Sequence, residues 1–146
     1  MSYGVKTIAV VDDDSVTRQV LENHISSNPE YKPVLFDSGI ALIEYLQVHT
    51  VHLILLDIEM GSMSGIETFD KLKNMQHTKG VPIVFLTGNG DRNTVLKCIG
   101  RGTDGYMVKP VGRATLLTKI EEVISKYDAF KTNKTILMID DDAQFL

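Results

Sequence analysis

The sequence predicts an α/β fold built on a doubly wound, five-stranded parallel sheet. Five short apolar runs alternate with five segments of helical periodicity along the 146 residues. The runs are continuously apolar, which is typical of strands buried on both faces of a parallel sheet. A hydrophobic fraction of 43% with 23% charged residues supports a sizeable core and excludes a disordered chain. Because a closed barrel needs eight such units, an open sheet is predicted.

The five predicted strands share a high content of β-branched and aromatic side chains. They are Ile8–Val11, Val34–Phe36, Leu53–Leu56, Ile83–Leu86 and Tyr106–Val108. Parallel strands all run in the same direction, so the carboxyl ends of all five strands are expected at one edge of the sheet, with right-handed helical connections between the strands.

Each strand precedes a segment whose apolar residues recur at helical spacing. Serine is a favoured N-cap, and two serines precede such segments. The predicted helices follow a cap at Ser15, a cap at Ser38, a start near Gly65, a start after Asp91 and a start near Arg113.

The C-terminal residues repeat the first strand and the acidic run that follows it. Thr135–Asp142 reads TILMIDDD, and Thr7–Asp14 reads TIAVVDDD. The repeat comes directly after five complete strand-helix units. We therefore interpret residues 1–127 as one domain, 128–134 as a polar linker, and 135–146 as the opening strand of a truncated second copy.

Charge and cysteine content exclude several classes of function. The chain has 15 basic and 19 acidic residues and no basic run, which argues against direct binding of nucleic acid. No apolar run approaches the roughly 18 residues of a membrane helix. The single cysteine, Cys98, cannot form a disulfide within the chain, and a reducing, cytoplasmic setting is expected.

Polar side chains follow four of the five predicted strands at their carboxyl ends. Asp12–Asp14 follow the first strand, Asp57 the third, Thr87 the fourth and Lys109 the fifth. Carboxylates held together repel one another unless a cation is present, and Mg²⁺ suits such oxygen ligands. A carboxylate beside a metal ion and an ammonium group can accept a phosphoryl group as the nucleophile.

Four motifs in order resemble the receiver domain of two-component response regulators, over about residues 5–127. They are Val10–Asp14, Leu55–Gly65, Leu86–Gly88 and Gly102–Pro110. The resemblance implies a flavodoxin-like sheet in the strand order 2-1-3-4-5. It also implies a signalling switch rather than an enzyme, phosphorylated by a sensor histidine kinase or a histidine phosphotransfer protein.

The resemblance also implies roles for the acidic and hydroxyl side chains. Asp57 is expected to be the phosphoacceptor. Asp12 and Asp13 are expected to hold Mg²⁺ together with Asp57, and the backbone carbonyl of Glu59 would complete the protein's ligands. Thr87 is expected to move its hydroxyl toward the phosphoryl group.

The fifth strand supplies the other implied residues. Lys109 is expected to form an ion pair with the phosphoryl group, and Pro110 to follow a peptide bond that is usually cis in the family. Tyr106 is expected to turn inward when Thr87 moves. The fourth helix, fifth strand and fifth helix would then bind partners or a second copy, and an output domain would lie beyond Leu146.

Two positions depart from the family pattern. Gly61 stands where the family usually has proline, which loosens the loop after Asp57. Glu59 adds a carboxylate at the rim, where it could bind Lys109 or orient the attacking water. The lifetime of the phosphorylated state is therefore expected to depend on Glu59.

Two other functions remain open at this point. The spacing Asp12-x-Asp14-x-Val16 also matches phosphatases of the haloacid dehalogenase type, with Asp12 as nucleophile and Asp14 as acid and base. That reading explains Asp57, Thr87 and the Lys109-Pro110 pair less well, and it provides no cap domain. The second alternative is a degenerate receiver that serves only as a binding module, which the two departures keep open.

Overall fold

Strands and helices alternate along the whole chain in the computed structural model, which describes residues 4–78, 80–88, 90 and 92–144. The strands are β1 (Lys6–Val11), β2 (Tyr31–Phe36), β3 (Leu53–Asp57), β4 (Ile83–Thr87) and β5 (Tyr106–Val108). The helices are α1 (Ser15–Ser26), α2 (Gly39–Tyr45), α3 (Gly65–Lys73), α4 (Arg92–Gly100) and α5 (Arg113–Gln144).

The five strands form one parallel sheet in the order β2-β1-β3-β4-β5. The predicted fold class and strand order are thereby confirmed. The chain changes direction across the sheet between β1 and β3, which is where ligands bind in open α/β sheets. Val11 at the end of β1 is in register with Leu56 of β3. The residues that follow them, Asp12 and Asp57, therefore emerge side by side.

Apolar side chains cover both faces of the sheet, which explains why the strands are continuously apolar. Successive residues of a strand point to opposite faces. Ile8 and Val10 pack in the cluster that contains side chains of α1 and α5. Ala9 and Val11 pack in the other cluster, with side chains of α2, α3 and α4. All four residues are completely buried.

The first helix is capped by a different residue from the one predicted. Asp14 is the N-cap, since its side chain accepts hydrogen bonds from the Thr17 amide (2.9 Å) and hydroxyl (2.6 Å). Ser15 is the first helical residue. Aspartate and serine cap equally well, so residue type alone does not separate adjacent candidates. Ser38 caps α2 as predicted and accepts from the Ala41 amide at 3.1 Å.

The start of α3 is tied closely to the end of β3. Ser64 and Glu67 form a capping box that satisfies two amides of the first turn. The Gly65 amide donates to the Ile58 carbonyl at 2.9 Å. A Cβ on Gly65 would lie 2.1 Å from the carbonyl oxygen of Asp57, so only glycine fits there. The helix thus fixes the main chain directly after Asp57.

The C-terminal segment differs from its prediction. α5 continues through Gln144, so residues 128–134 are helical rather than a linker, and 135–144 are helical rather than a strand. A lone strand would leave its backbone groups without partners, whereas a helix satisfies them internally. Residues 145 and 146 lie outside the described part. No helix within the described ranges has a stretch apolar enough to cross a bilayer.

Candidate functional site

Three carboxylates meet at the carboxyl edge of the sheet. Asp12, Asp13 and Asp57 each place an oxygen within 4.8 Å of the other two. Asp12 and Asp57 are buried, with 0% and 2% of their surface exposed, and Asp13 is exposed. The structure therefore brings together the three side chains that the sequence predicted as metal ligands.

An ammonium group bridges the two buried carboxylates. The Lys109 Nζ lies 3.0 Å from Asp12 Oδ2 and 3.2 Å from Asp57 Oδ1. The Lys109 amide donates to the Thr87 carbonyl at 2.7 Å, which holds the end of β5 against the end of β4. Burial alone would lower the pKa of Lys109, but its contacts with Asp12 and Asp57 outweigh burial and raise it. The peptide bond before Pro110 is cis, as predicted.

The predicted phosphoacceptor has an unusual proton affinity. Burial and the neighbouring charge of Asp12 raise the pKa of Asp57 from 3.8 to about 7, although Lys109 opposes the shift. Glu59 contributes to the same increase. Negative charge thus exceeds positive charge around Asp57, and a divalent cation would offset the excess.

The donor set fits Mg²⁺. This small ion prefers oxygen ligands and binds through a few carboxylates while retaining water molecules and substrate phosphate oxygens. Asp12, Asp13 and Asp57 supply carboxylates from one side, and Asp13 faces solvent. The predicted role of the Glu59 carbonyl oxygen as a further ligand stays a prediction.

Gly61 has a contact with this donor set. Its amide donates to Asp13 Oδ2 at 3.1 Å. Proline, which the family usually has at this position, carries no amide hydrogen and could not make this bond. A Cβ on Gly61 would lie 3.9 Å from the same oxygen, an ordinary contact. The departure to glycine thus adds a hydrogen bond that holds the carboxylate of Asp13.

The Glu59 side chain contacts a different partner from those expected. Its carboxylate accepts hydrogen bonds from the Thr87 hydroxyl, at 3.1 and 3.2 Å to its two oxygens, and from the Gly88 amide at 2.9 Å. From the sequence we expected this carboxylate to bind Lys109 or to orient the attacking water. The signal available in the sequence was its place two residues after Asp57, the last residue of β3, because β3 neighbours the strand that ends in Thr87.

Tyr106, the predicted aromatic switch, opens the edge strand β5. It lies in register with Phe85 of β4 and exposes 36% of its surface. Its side chain is thus in an outward position. The predicted inward movement stays a prediction.

The geometry opposes the phosphatase reading. Asp14 would have to donate a proton, but its carboxylate is occupied as the cap of α1, and hydrogen bonds from Thr17 lower its pKa. Asp12, the nucleophile in that reading, accepts hydrogen bonds from Lys109 and from the Asp14 amide. Both carboxylates are therefore held as supports for the cluster around Asp57.

Comparison with known proteins points to one family. Over 120 residues the chain is 27% identical to the two-component response regulator ORR3 of Oryza sativa, covering 82% of this chain and 91% of that protein. It is 29% identical to the heme response regulator HssR of Staphylococcus epidermidis, covering 86% of this chain and 54% of the relative. The chain therefore spans most of the shorter relative and about half of the longer one.

Solved structures share the fold. Vibrio cholerae chemotaxis protein CheY4 superposes with a TM-score of 0.77 at 23% identity, covering 82% of this chain and 99% of that one. The receiver domain of a Pseudomonas aeruginosa sensor histidine kinase, solved with magnesium in its active-site cleft, gives a TM-score of 0.76 at 24% identity, covering 84% of this chain and 99% of that one.

The family model of the response regulator receiver domain matches residues 8–121, which include all five strands except the first two residues of β1. The matched range also contains every residue of the carboxylate cluster, together with Lys109 and Thr87. The chain belongs to the response regulator receiver domain family.

Proposed function

We propose that this chain is a phosphorylation-operated switch in which Asp57 accepts a phosphoryl group from a sensor histidine kinase or a histidine phosphotransfer protein. The observation that carries the proposal is the ammonium group of Lys109, within 3.2 Å of carboxylate oxygens of both Asp12 and Asp57. A fixed positive charge beside a buried carboxylate suits the transfer of an anionic group to that carboxylate.

The proposed transfer follows from these side chains. An oxygen of Asp57 forms a bond to phosphorus while the bond between phosphorus and the donor's histidine nitrogen breaks, and the released imidazole takes up a proton. Lys109 holds a phosphoryl oxygen, and the Thr87 hydroxyl donates to another. Mg²⁺ bound by Asp12, Asp13 and Asp57 would balance the charge on the phosphoryl oxygens. Asp57 attacks as the carboxylate, so bound Mg²⁺ and Lys109 favour the reactive form.

An apolar groove beside the site supports a protein as the donor. Val16 and Val20 on α1 are 68% and 43% exposed, so both present apolar surface to solvent. They line a groove of about 310 Å³ together with Lys109 and Pro110. A donor that packs against this groove would bring its phosphohistidine next to Lys109.

Exposed apolar side chains on α4 and β5 support a partner-binding surface there, which we call the readout surface. Leu96 and Ile99 on α4 expose 52% and 58% of their surface, and Tyr106 and Val108 on β5 expose 36% and 44%. A phosphoryl group adds a charge of about −2 at pH 7. In the proposal, movement of Thr87 draws Tyr106 inward and alters this surface, which then binds a partner or a second copy of the chain.

The proposal includes the C-terminal repeat. Residues 135–142 match the first strand and its acidic run, and on that ground we infer a tandem second receiver whose opening residues are 135–146. Residues 135–144 continue α5 in the structure, and in the proposal they would form a strand only beside the other strands of the second copy. The match of this chain to about half of HssR supports further domains in such proteins, and an output domain would follow Leu146. We place the switch in the cytoplasm, where its histidine donors and its free Cys98 are expected.

Acetyl phosphate with Mg²⁺ tests the proposal on the full chain. Intact-mass and peptide mass spectrometry should find one added phosphoryl group, on Asp57. Asp57→Asn should abolish it, while Asp37→Asn, an exposed carboxyl after β2, should leave it unchanged. A protein that binds Mg²⁺ but never gains the group would be a binding module. Hydrolysis of phosphate esters that depends on Asp12 and not on Asp57 would restore the phosphatase reading.

A further inference from the structure

The Glu59 carboxylate accepts hydrogen bonds from two donors that lie beside Asp57 at the end of β4. The two donors are the Thr87 hydroxyl and the Gly88 amide, the latter at 2.9 Å. Both are strong donors to an anion, because hydrogen bonds to a carboxylate are charge-assisted. A carboxylate and a phosphoryl group compete for such donors, since both present several negatively charged oxygens.

The backbone places these donors beside Asp57. Asp57 and Leu86 are in register, so Thr87 follows Leu86 at the same edge of the sheet. The Glu59 amide donates to Asp57 Oδ1 at 3.3 Å, and the Glu59 side chain extends from there to Thr87. A phosphoryl group on Asp57 would therefore enter the space between the acceptor and the donors that Glu59 holds.

The side chain of Glu59 can move from these donors into solvent. Unlike Asp12, Asp57 and Thr87, which are buried, Glu59 is exposed to solvent. A carboxylate released to water regains its hydration, so its displacement costs less than that of a buried charge. Lys109 is paired with Asp12 and Asp57, whereas the Glu59 carboxylate is paired with Thr87 and Gly88, so the two charged side chains bind different partners.

We propose that Glu59 is a built-in competitor for the phosphoryl-binding donors, whose carboxylate holds Thr87 and Gly88 until a phosphoryl group on Asp57 displaces it. The inference rests on the proposed function of Asp57 as phosphoacceptor. Glu59 acts through Thr87 and Gly88, so it is a positioning residue. Its contacts stabilise the unphosphorylated state and set how readily the switch responds.

Three substitutions separate this contact from a general effect of charge. Glu59→Ala removes both charge and reach. Glu59→Asp keeps the charge but is shorter by one carbon-carbon bond, about 1.5 Å, and cannot span to both donors. Glu59→Gln keeps the reach and removes the charge, so its oxygen still accepts, more weakly.

The first readout is the amide signal of Gly88 in nuclear magnetic resonance spectra of the full chain without phosphoryl donor. In the wild type, the hydrogen bond to a carboxylate should shift the Gly88 proton downfield. Glu59→Asp and Glu59→Ala should both lose this shift, and Glu59→Gln should retain part of it. A Gly88 signal that is the same in all four proteins would overturn the contact on which the proposal rests.

The second readout is the concentration of beryllofluoride, a stable mimic of the phosphoryl group, that half-saturates the protein with Mg²⁺ present. Glu59→Ala should lower it roughly tenfold, the loss of about 1.4 kcal/mol of competition. Glu59→Asp should behave like Glu59→Ala. If Glu59→Asp instead binds like the wild type, charge alone explains the effect and the competitor role is wrong.

The two proposals fail in different ways. Binding that requires Asp57 but is equal in the wild type, Glu59→Asp and Glu59→Ala overturns the competition and leaves the phosphoacceptor intact. An absence of binding in every protein, Glu59→Ala included, overturns the phosphoacceptor and with it the competition. Binding that persists in Asp57→Asn shows that the mimic occupies another place, which also contradicts both.

Discussion

The central strands and the edge strand of the sheet are built differently, although both contribute to one site. Every residue of β3 and β4 is buried, whereas β5 buries Met107 and exposes its two neighbours. β3 and β4 end in Asp57 and Thr87, and β5 leads into Lys109. The proposed acceptor Asp57 and the hydroxyl of Thr87 are thus anchored in the packed centre. Lys109 and the proposed readout residues of β5 belong to the edge, where two of the three strand residues are exposed.

This difference has a physical consequence for signalling. Fully buried strands resist displacement because neighbouring side chains fill the space around them at crystal-like density. Segments with few buried apolar contacts open and move at low free-energy cost. If Asp57 is phosphorylated as proposed, the new charge would reposition the edge around Tyr106 without disturbing β3, which carries Asp57.

The largest expected effect tests the packed centre against the edge. Phe85→Ala in β4 should lower the free energy of unfolding by about 3 to 5 kcal/mol, since Phe85 is completely buried and its ring lies 5.2 Å from that of Phe69. Tyr106→Ala, one third exposed at the matching register of β5, should lower it by about 1 kcal/mol or less. Urea unfolding followed by circular dichroism measures both values.

Similar losses for Phe85→Ala and Tyr106→Ala would erase the distinction between centre and edge. Phe85→Leu serves as a milder control if the alanine variant does not fold. It should lie between the wild type and Phe85→Ala, because it leaves a smaller cavity.

A second prediction concerns the protonation of Asp57 at the packed centre of the sheet. Because the folded state raises the pKa of Asp57 to about 7, folding favours its protonated form. The stability that this proton contributes is full below the ordinary pKa of 3.8 and is lost as the pH rises to about 7. In the presence of EDTA, Asp57→Asn should therefore stabilise the protein by about 2 kcal/mol more at pH 8 than at pH 5.

Urea unfolding of the wild type and of Asp57→Asn at pH 5 and at pH 8 measures how the stabilising effect of the substitution changes with pH. Millimolar Mg²⁺ should reduce this pH dependence, because a bound cation favours the carboxylate form of Asp57 in the wild type. An equal effect of Asp57→Asn at both pH values would mean that the acceptor is ionised as easily in the folded protein as in the unfolded chain.

The smallest expected effect is at the exposed edge. Leu96→Ser on α4 should change the free energy of unfolding by less than about 0.5 kcal/mol, because the side chain is 52% exposed. The half-saturating beryllofluoride concentration should also stay the same, since Leu96 contributes nothing to the site. A loss above about 1 kcal/mol would show that this surface is part of the core and not a free readout surface.

Much of the fold can be predicted from the sequence because patterns such as continuous apolar runs each have one local physical cause. Continuous apolar runs such as Leu53–Leu56 indicate strands covered on both faces, and the structure has them buried on both. The meeting of Asp12, Asp13 and Asp57 follows equally, since parallel strands align their carboxyl ends. The strand order itself came from the resemblance to receivers.

Other features depend on geometry that residue type does not specify. Asp14 and Ser15 are both good caps, and the backbone conformation decides between them. Asp14 is extended, as an N-cap is, whereas Ser15 is already the first residue of the helix. The partner of Glu59 depends on the path of the loop after Asp57, which brings the carboxylate to the Thr87 hydroxyl and the Gly88 amide. No periodicity encodes that path.

The C-terminal segment shows how residue type can mislead. The run Thr135–Ile139 is rich in β-branched residues and predicts a strand, but a strand is stable only beside another strand. Within the described residues the run continues α5. The five-stranded sheet already ends at β2 and β5, and β-propensity alone does not add a sixth strand.

The main chain at Gly65 lies close to the carbonyl group of Asp57. This close approach fixes the position of Asp57 independently of the side chains in the loop between the two residues. Residues 59–64 form a short connection that is clamped at both ends, by the last strand pair before it and by the 2.9 Å bond between Gly65 and Ile58 after it. In the proposed switch, changes at Glu59 and Gly61, which lie in this connection, would alter the speed and persistence of the signal. The proposed nucleophile, Asp57, would stay in position, so one chemical core could serve signals of very different duration.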